Sequence, residues 1–200
     1  MIHVLGQREA GPLATPVSAG RSAQGRFVAQ LPGAPAGYQY VNRTRNDCAQ
    51  AAVATARTMI GDWAAPDDGG PDRQAQLQAE APPDVAGGVW GSSPRLVQQM
   101  LGSTRTVSGF TGLQAALSNA QPVLVLLDLR PLGRGSGAHW TVVVGLSQDT
   151  VQVTNLGGGL VDRAAFAKAW RGLIPRVAGM ASQGLLTADT ARASGAPAAT

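Results

Sequence analysis

The residue best suited to covalent chemistry is Cys48, the single cysteine among 200 residues. It follows Asn46 and Asp47, both of types that cap helices, and heads the alanine-rich run Ala49 to Ala56. The partial positive charge at a helix N-terminus favours thiolate over thiol, so a cysteine in this setting is placed as a nucleophile is placed. A free cysteine is also among the most buried residue types and commonly acts as a small hydrophobe. What separates the two readings is whether the chain supplies a base and a group to orient it.

There are two histidines. His3 lies in an unpatterned segment, whereas His139 opens the β-branched run His139-Trp140-Thr141-Val142-Val143-Val144, bounded by Gly137 and Gly145. That run reads as a strand, with His139, Thr141 and Val143 on one face. A second strand, Thr150 to Asn155, follows the Gln148-Asp149 turn, so the two form an antiparallel hairpin. Hairpin pairing sets Asn155 against the residues just after His139, which puts its amide near the imidazole. Cys48, His139 and Asn155 are therefore the candidate nucleophile, base and orienting residue.

The elements that must hold these three are legible in outline. Apolar residues at Ala49, Ala52, Val53, Ala56, Met59 and Ile60 give the nucleophile helix one buried face, and Gly61 stands where a C-cap belongs. A short helix is predicted over Arg73 to Glu80, and a capped one opens at Ser93-Pro94 with Leu96, Val97, Met100 and Leu101 on its apolar face. Gly112 to Ala120 predicts a third helix after the nucleophile helix, and Val123 to Leu129 is an apolar run expected to be a central strand. Asp162 caps a last helix running through Trp170. The glycines Gly157-Gly158-Gly159 lack the spacing and the Lys-Ser/Thr ending of a phosphate loop and read as a turn.

Composition narrows the function classes. The chain is 44% hydrophobic and 14% charged, which predicts a folded centre with disorder confined to Ala/Gly/Pro-rich ends. A net charge of +4 and a pI near 10.2 raise nucleic acid as a partner, but the basic residues are scattered and no block of like charge appears. A modestly basic solvated surface is the better reading, with no nucleic acid as partner. One cysteine excludes an intrachain disulfide framework and, with one well-placed histidine, leaves no metal or other cofactor to expect. No basic leader with an apolar core and no membrane span is visible, so a cytoplasmic location is the default expectation.

In that chain order, Cys48, His139 and Asn155 resemble the papain-like cysteine peptidases, and more narrowly their bacterial C39-like branch. The resemblance runs over about residues 38 to 175. It is carried by Asn46-Asp47-Cys48-Ala49-Gln50-Ala51-Ala52, Gly91-Ser92-Ser93-Pro94, Gln121-Pro122-Val123-Leu124-Val125, the Gly137 to Gly145 strand, and Val153-Thr154-Asn155 with the Phe166 and Trp170 helix. It implies an α+β fold in which an N-terminal helical part, containing the nucleophile helix, packs on a C-terminal antiparallel β-sheet. The expected organisation is a loosely structured arm over 1–35, the catalytic domain over 36–178 and a flexible tail over 179–200.

The resemblance also implies the chemistry. Cys48 would attack an amide or other acyl carbonyl, His139 would take its proton, and Asn155 would hold the ring. Papain-like enzymes carry a glutamine six residues before the cysteine as oxyanion donor; that position is Asn42 here, with Gln39 three residues earlier. Where the C39-like pattern more often has Gly after the cysteine and Asp-Pro at the third position, this chain has Ala49 and Asn155-Leu156. Trp90 and Trp140 are the candidate cleft residues, although Trp90 reads rather better as core cover. The loops around Asp84 to Ser93 and Arg130 to Gly137 would line the cleft without any readable specificity code. A peptide or protein is the expected substrate. Glutamine deamidation or acyl transfer could use the same three residues, and a non-catalytic binding module could retain the fold.

Overall fold

A computed structural model describes residues 27, 29–31, 39–44, 46–82, 93–102, 104–157, 159–171 and 183–187. Among the described residues five α-helices and seven strands follow in chain order: β1 Ala29–Gln30, α1 Cys48–Met59, α2 Arg73–Glu80, α3 Pro94–Leu101, β2 Thr104–Ser108, α4 Gly109–Ser118, β3 Val123–Asp128, β4 Ala138–Leu146, β5 Thr150–Val153, β6 Leu160–Asp162, α5 Arg163–Arg171 and β7 Gln183–Thr187. The strands form one antiparallel sheet in the order β2-β7-β3-β4-β5-β6, with β1 added to β4. The fold is α+β, with the Cys48 helix packed on the sheet at β4 and β3 and flanked by α2 and α3.

The central strands follow from their residues. All six residues of β3 are buried, as an apolar strand covered on both faces must be. β4 pairs along its first six residues with β3, from Asp128 opposite Ala138 to Val123 opposite Val143. Its last residues outrun β3 and leave an edge, which Ala29 and Gln30 take by pairing with Leu146 and Gly145. The segment read as a loose arm is thus anchored at this point, with Ala29 and Leu31 buried.

Helix α1 departs from the expected one-sided pattern. Every residue from Cys48 to Ala56 is buried, because sheet and helices surround it and its alanines let them approach closely. The polar side chains caught there are engaged: Gln50 Nε2 donates to the carbonyl of Ala81 at 2.7 Å, and Thr55 Oγ1 accepts the Tyr40 N–H at 3.0 Å. Gly61, with φ of 76°, takes the left-handed position past the helix end. Ser93 Oγ accepts the Leu96 N–H at 3.2 Å and Asp162 Oδ1 the Ala165 N–H at 2.7 Å, the side-chain caps of α3 and α5. Phe110 of α4 meets Phe166 and Trp170 of α5, with ring centroids 6.0 and 5.9 Å away, which joins these two helices.

Three strands were not expected from the sequence. β2 and β6 form the two ends of the sheet order, and β7 runs between β2 and β3. β7 falls within the stretch 179–200 expected to be a tail. Leu185, fully buried, supplies the apolar contact. Gly184 supplies the fit, since a Cβ there would lie 2.4 Å from Val123 Cγ1 and 3.1 Å from the Leu124 carbonyl oxygen. Helix α4 begins at Gly109, three residues earlier than its apolar spacing predicts. Among the described residues no helix is long and apolar enough to cross a membrane.

Candidate active site

Cys48 is the first residue of α1 and His139 the second of β4, so the packing of this helix on this strand decides whether they meet. The start of the helix does reach the end of the strand. The N–H of Trp140, next to His139, points at Cys48 Sγ at 3.5 Å. The hairpin brings in the third residue. A β-bulge between Val143 and Gly145 shifts the β4-β5 register, so that Val143 faces Val153. Continued past the strand, Thr154 donates its N–H to the Val142 carbonyl at 3.0 Å, and Thr141 Oγ1 donates to the Thr154 carbonyl at 2.6 Å.

Asn155 stands at the end of this pairing with φ of 38°, a left-handed conformation that asparagine tolerates better than most residues. Two of its oxygens face one ring nitrogen: His139 Nε2 lies 3.2 Å from the Asn155 carbonyl and 3.3 Å from Oδ1. Both partners only accept, so Nε2 must carry the proton and Nδ1 is the ring atom left to accept one. The amide orientation is equally determined. Asn155 Nδ2 faces the carbonyls of Trp140 at 3.4 Å and Cys48 at 3.5 Å, and Asn42 Oδ1 at 3.3 Å, where only a donor fits.

The electrostatics differ from the thiolate expected of a helix N-terminus. Burial pushes the Cys48 thiol up, and the Asp47 carboxylate beside it pushes the same way; the N–H groups of Trp140, Ala49 and Cys48 itself pull it down without prevailing. His139 is held below its usual range, first by burial, with the Arg134 charge adding to the effect against the two Asn155 hydrogen bonds. Both shifts favour the uncharged forms, thiol and neutral imidazole, in the unliganded protein.

Asp47 also departs from its expected part as a cap. Its carboxylate makes no side-chain hydrogen bond to the helix N-terminus. It is fully buried and turned back, with Oδ2 accepting the N–H groups of Arg43 at 3.0 Å and Thr44 at 3.1 Å and the side-chain amides of Gln74 at 3.0 Å and Gln78 at 2.7 Å. This clamp fixes the loop bearing Asn42, helix α2 and the start of α1 in one arrangement. Sequence reasoning missed it, although Gln74 and Gln78 share a face at i, i+4 spacing on a predicted helix.

The remaining site candidates separate. Asn42 is exposed and reaches the site through Asn155, while Gln39 is half-buried three residues upstream. Trp140 is 1% exposed with its indole in the core, and its backbone N–H points at Cys48 Sγ. The alternation that puts His139 toward the site sends the next side chain into the protein. Trp90 lies outside the described residues. Among the described residues no cluster of three or more His, Cys, Asp or Glu could hold a metal. A cavity of about 450 Å³ between α5 and the β4-β5 turn, lined in part by Phe110, Asp149, Asp162, Arg163 and Lys168, contains neither Cys48 nor His139.

No family model and no curated protein matches the chain. Among solved structures, it is similar to the crystal structure of a Bacillus anthracis protein classed provisionally as a C39-like peptidase. The identity is 15% and the TM-score 0.46, over 80% of this chain and 93% of the other.

Proposed function

We propose that the chain is a cysteine-dependent hydrolase of peptide or amide bonds, a papain-like enzyme of the C39-like kind, with Cys48 as nucleophile, His139 as general base and acid, and Asn155 as the residue that orients the ring. The observation that carries this reading is the double acceptance at His139 Nε2 by Asn155, which leaves Nδ1 as the basic atom on the strand that touches Cys48. Nδ1 takes the thiol proton as Sγ bonds to the substrate carbonyl carbon. The imidazolium then protonates the leaving amine as the C–N bond breaks, giving a thioester on Cys48. Water, deprotonated by the same Nδ1, releases the acid and restores the thiol. The Cys48 N–H at the start of α1, with the Asn42 amide, is the donor set offered to the oxyanion, each donor of this kind being worth about 3 kcal/mol.

The functional unit on this reading runs from β1 to β7, because both strands complete the sheet that holds β4. A non-catalytic binding module is the second reading, supported by the burial that raises the thiol and lowers the imidazole. Mass analysis of a diverse peptide mixture incubated with the protein, Cys48→Ala and His139→Ala distinguishes the outcomes. New termini that depend on both residues support hydrolysis of peptide bonds. A Gln-to-Glu mass change without cleavage moves the reading to a deamidase, and an unaltered mixture supports the binding module.

A further inference from the structure

Two features of the sequence remain outside this chemistry, the Arg130 to Gly137 loop and the glycine run after Asn155, and the structure joins them. Arg134 Nη2 donates to the Gly157 carbonyl at 2.5 Å. Gly157 leaves room for the guanidinium, since a Cβ there would lie 3.3 Å from Arg134 Nη1. Gly157 is two residues beyond Asn155, whose own carbonyl meets His139 Nε2. The guanidinium of this exposed residue is thereby held at the turn that follows Asn155, within electrostatic reach of His139.

The charge at this position has no carboxylate partner among the described residues. The ion pairs found there join Arg43 to Asp72, Arg57 to Asp62 and Arg130 to Asp128, and none includes Arg134. Nearby Arg130 is neutralised, its Nη2 lying 2.6 Å from Asp128 Oδ2. Arg134 remains as a fixed, unneutralised cation whose field reaches His139. A positive charge there opposes protonation of the imidazole, a cost for general-base work. A negative group on the substrate would cancel it.

We infer that Arg134 is a specificity-determining residue that selects substrates carrying a carboxylate on the leaving-group side of the scissile bond. The side follows from the chemistry, since His139 delivers its proton to the departing amine and Arg134 stands beside His139. An arginine held by one hydrogen bond keeps further N–H groups for a carboxylate. The carboxylate could belong to an acidic side chain or to a peptide C-terminus. The inference rests on the reading of Cys48 and His139 as the reacting pair.

The test compares alkylation of Cys48 by iodoacetate and iodoacetamide, which differ in charge at similar size. The ratio of their rates cancels any change in thiolate fraction. Arg134→Gln is expected to lower the iodoacetate to iodoacetamide ratio about three- to fivefold at low ionic strength, the effect of one charge several ångströms away at intermediate dielectric. Molar salt shrinks the difference, Arg134→Lys retains most of the ratio, and Arg105→Gln on the distant strand β2 leaves it unchanged. With peptides, kcat/KM is expected to fall when a leaving-group Glu is replaced by Gln or when a free C-terminus is amidated, and whichever change matters identifies the source of the carboxylate. Arg134→Gln removes that preference. A ratio equal in Arg134→Gln and wild type overturns the inference whatever the chain hydrolyses. A lowered ratio in a protein that hydrolyses nothing upholds the carboxylate preference and overturns the catalytic reading instead.

Discussion

Asn155 presents both its carbonyl and its Oδ1 to His139 Nε2, at 3.2 and 3.3 Å, while its Nδ2 faces three oxygens on the other side. An amide satisfies both sides at once, and a carboxylate does not. In Asn155→Asp one carboxylate oxygen would stand against the Cys48 and Trp140 carbonyls and Asn42 Oδ1. The added negative charge would favour imidazolium. The expected result is an acidic limb of the pH–rate profile displaced upward by about one unit or more, with lower activity at pH 7, whereas Asn155→Gly lowers activity without that displacement. The profiles of kcat/KM for the two variants check this.

The neutral resting pair has its own signature. Burial raises the thiol and lowers the imidazole, so the form with one proton shared between them spans a wide pH range. Hydrolysis should then lose activity on the acid side only below the ordinary histidine value of about 6.5, and on the alkaline side only above the ordinary thiol value of about 8.5. Alkylation by iodoacetamide in the absence of substrate should rise with an inflection above about 8.5. An inflection in the acid range would mean a preformed thiolate-imidazolium pair.

The Asp47 clamp predicts a coupled change in stability and reactivity. In Asp47→Asn the buried carboxylate that receives four hydrogen bonds becomes an amide with donors of its own, facing Gln74 and Gln78. Loss of roughly 2 to 4 kcal/mol is expected, measured by urea unfolding. The thiol should move the other way. Removing a negative charge next to Cys48 lowers its pKa, so alkylation in the folded variant begins at lower pH than in wild type.

The parts of this molecule that were legible from sequence are those whose signal is local. Helices α2, α3 and α5 follow from spacing and capping residues, and Asn155 was placed near His139 by hairpin length alone. The bulge that adjusts this register leaves no mark in Val143-Val144-Gly145 that distinguishes it from regular strand. β7 was not legible because Gln183-Gly184-Leu185-Leu186-Thr187 lies in a weakly apolar region and becomes a strand only between β2 and β3. The balance at Cys48 is hidden for a related reason: the helix N-terminus is visible in sequence, but the burial that pushes the thiol up is a tertiary property.

The placement of β7 can be tested through its glycine. Gly184→Ala puts a methyl group 2.4 Å from Val123 Cγ1, so β7 and β3 must separate or Val123 must leave its rotamer. Destabilisation of about 1 to 3 kcal/mol is expected in thermal or urea unfolding. An unchanged midpoint would mean that the strand is not held in the sheet.

The proposed reacting pair is most directly examined by acylation of Cys48 with p-nitrophenyl acetate, following nitrophenol release and locating the adduct by mass spectrometry. A burst of nitrophenol is expected with an acetyl thioester on Cys48, slowed on the order of a hundredfold or more in His139→Ala. Acylation of Cys48 at the same rate in His139→Ala, or no acylation of Cys48 at all, would contradict the assignment of Cys48 and His139 as nucleophile and base.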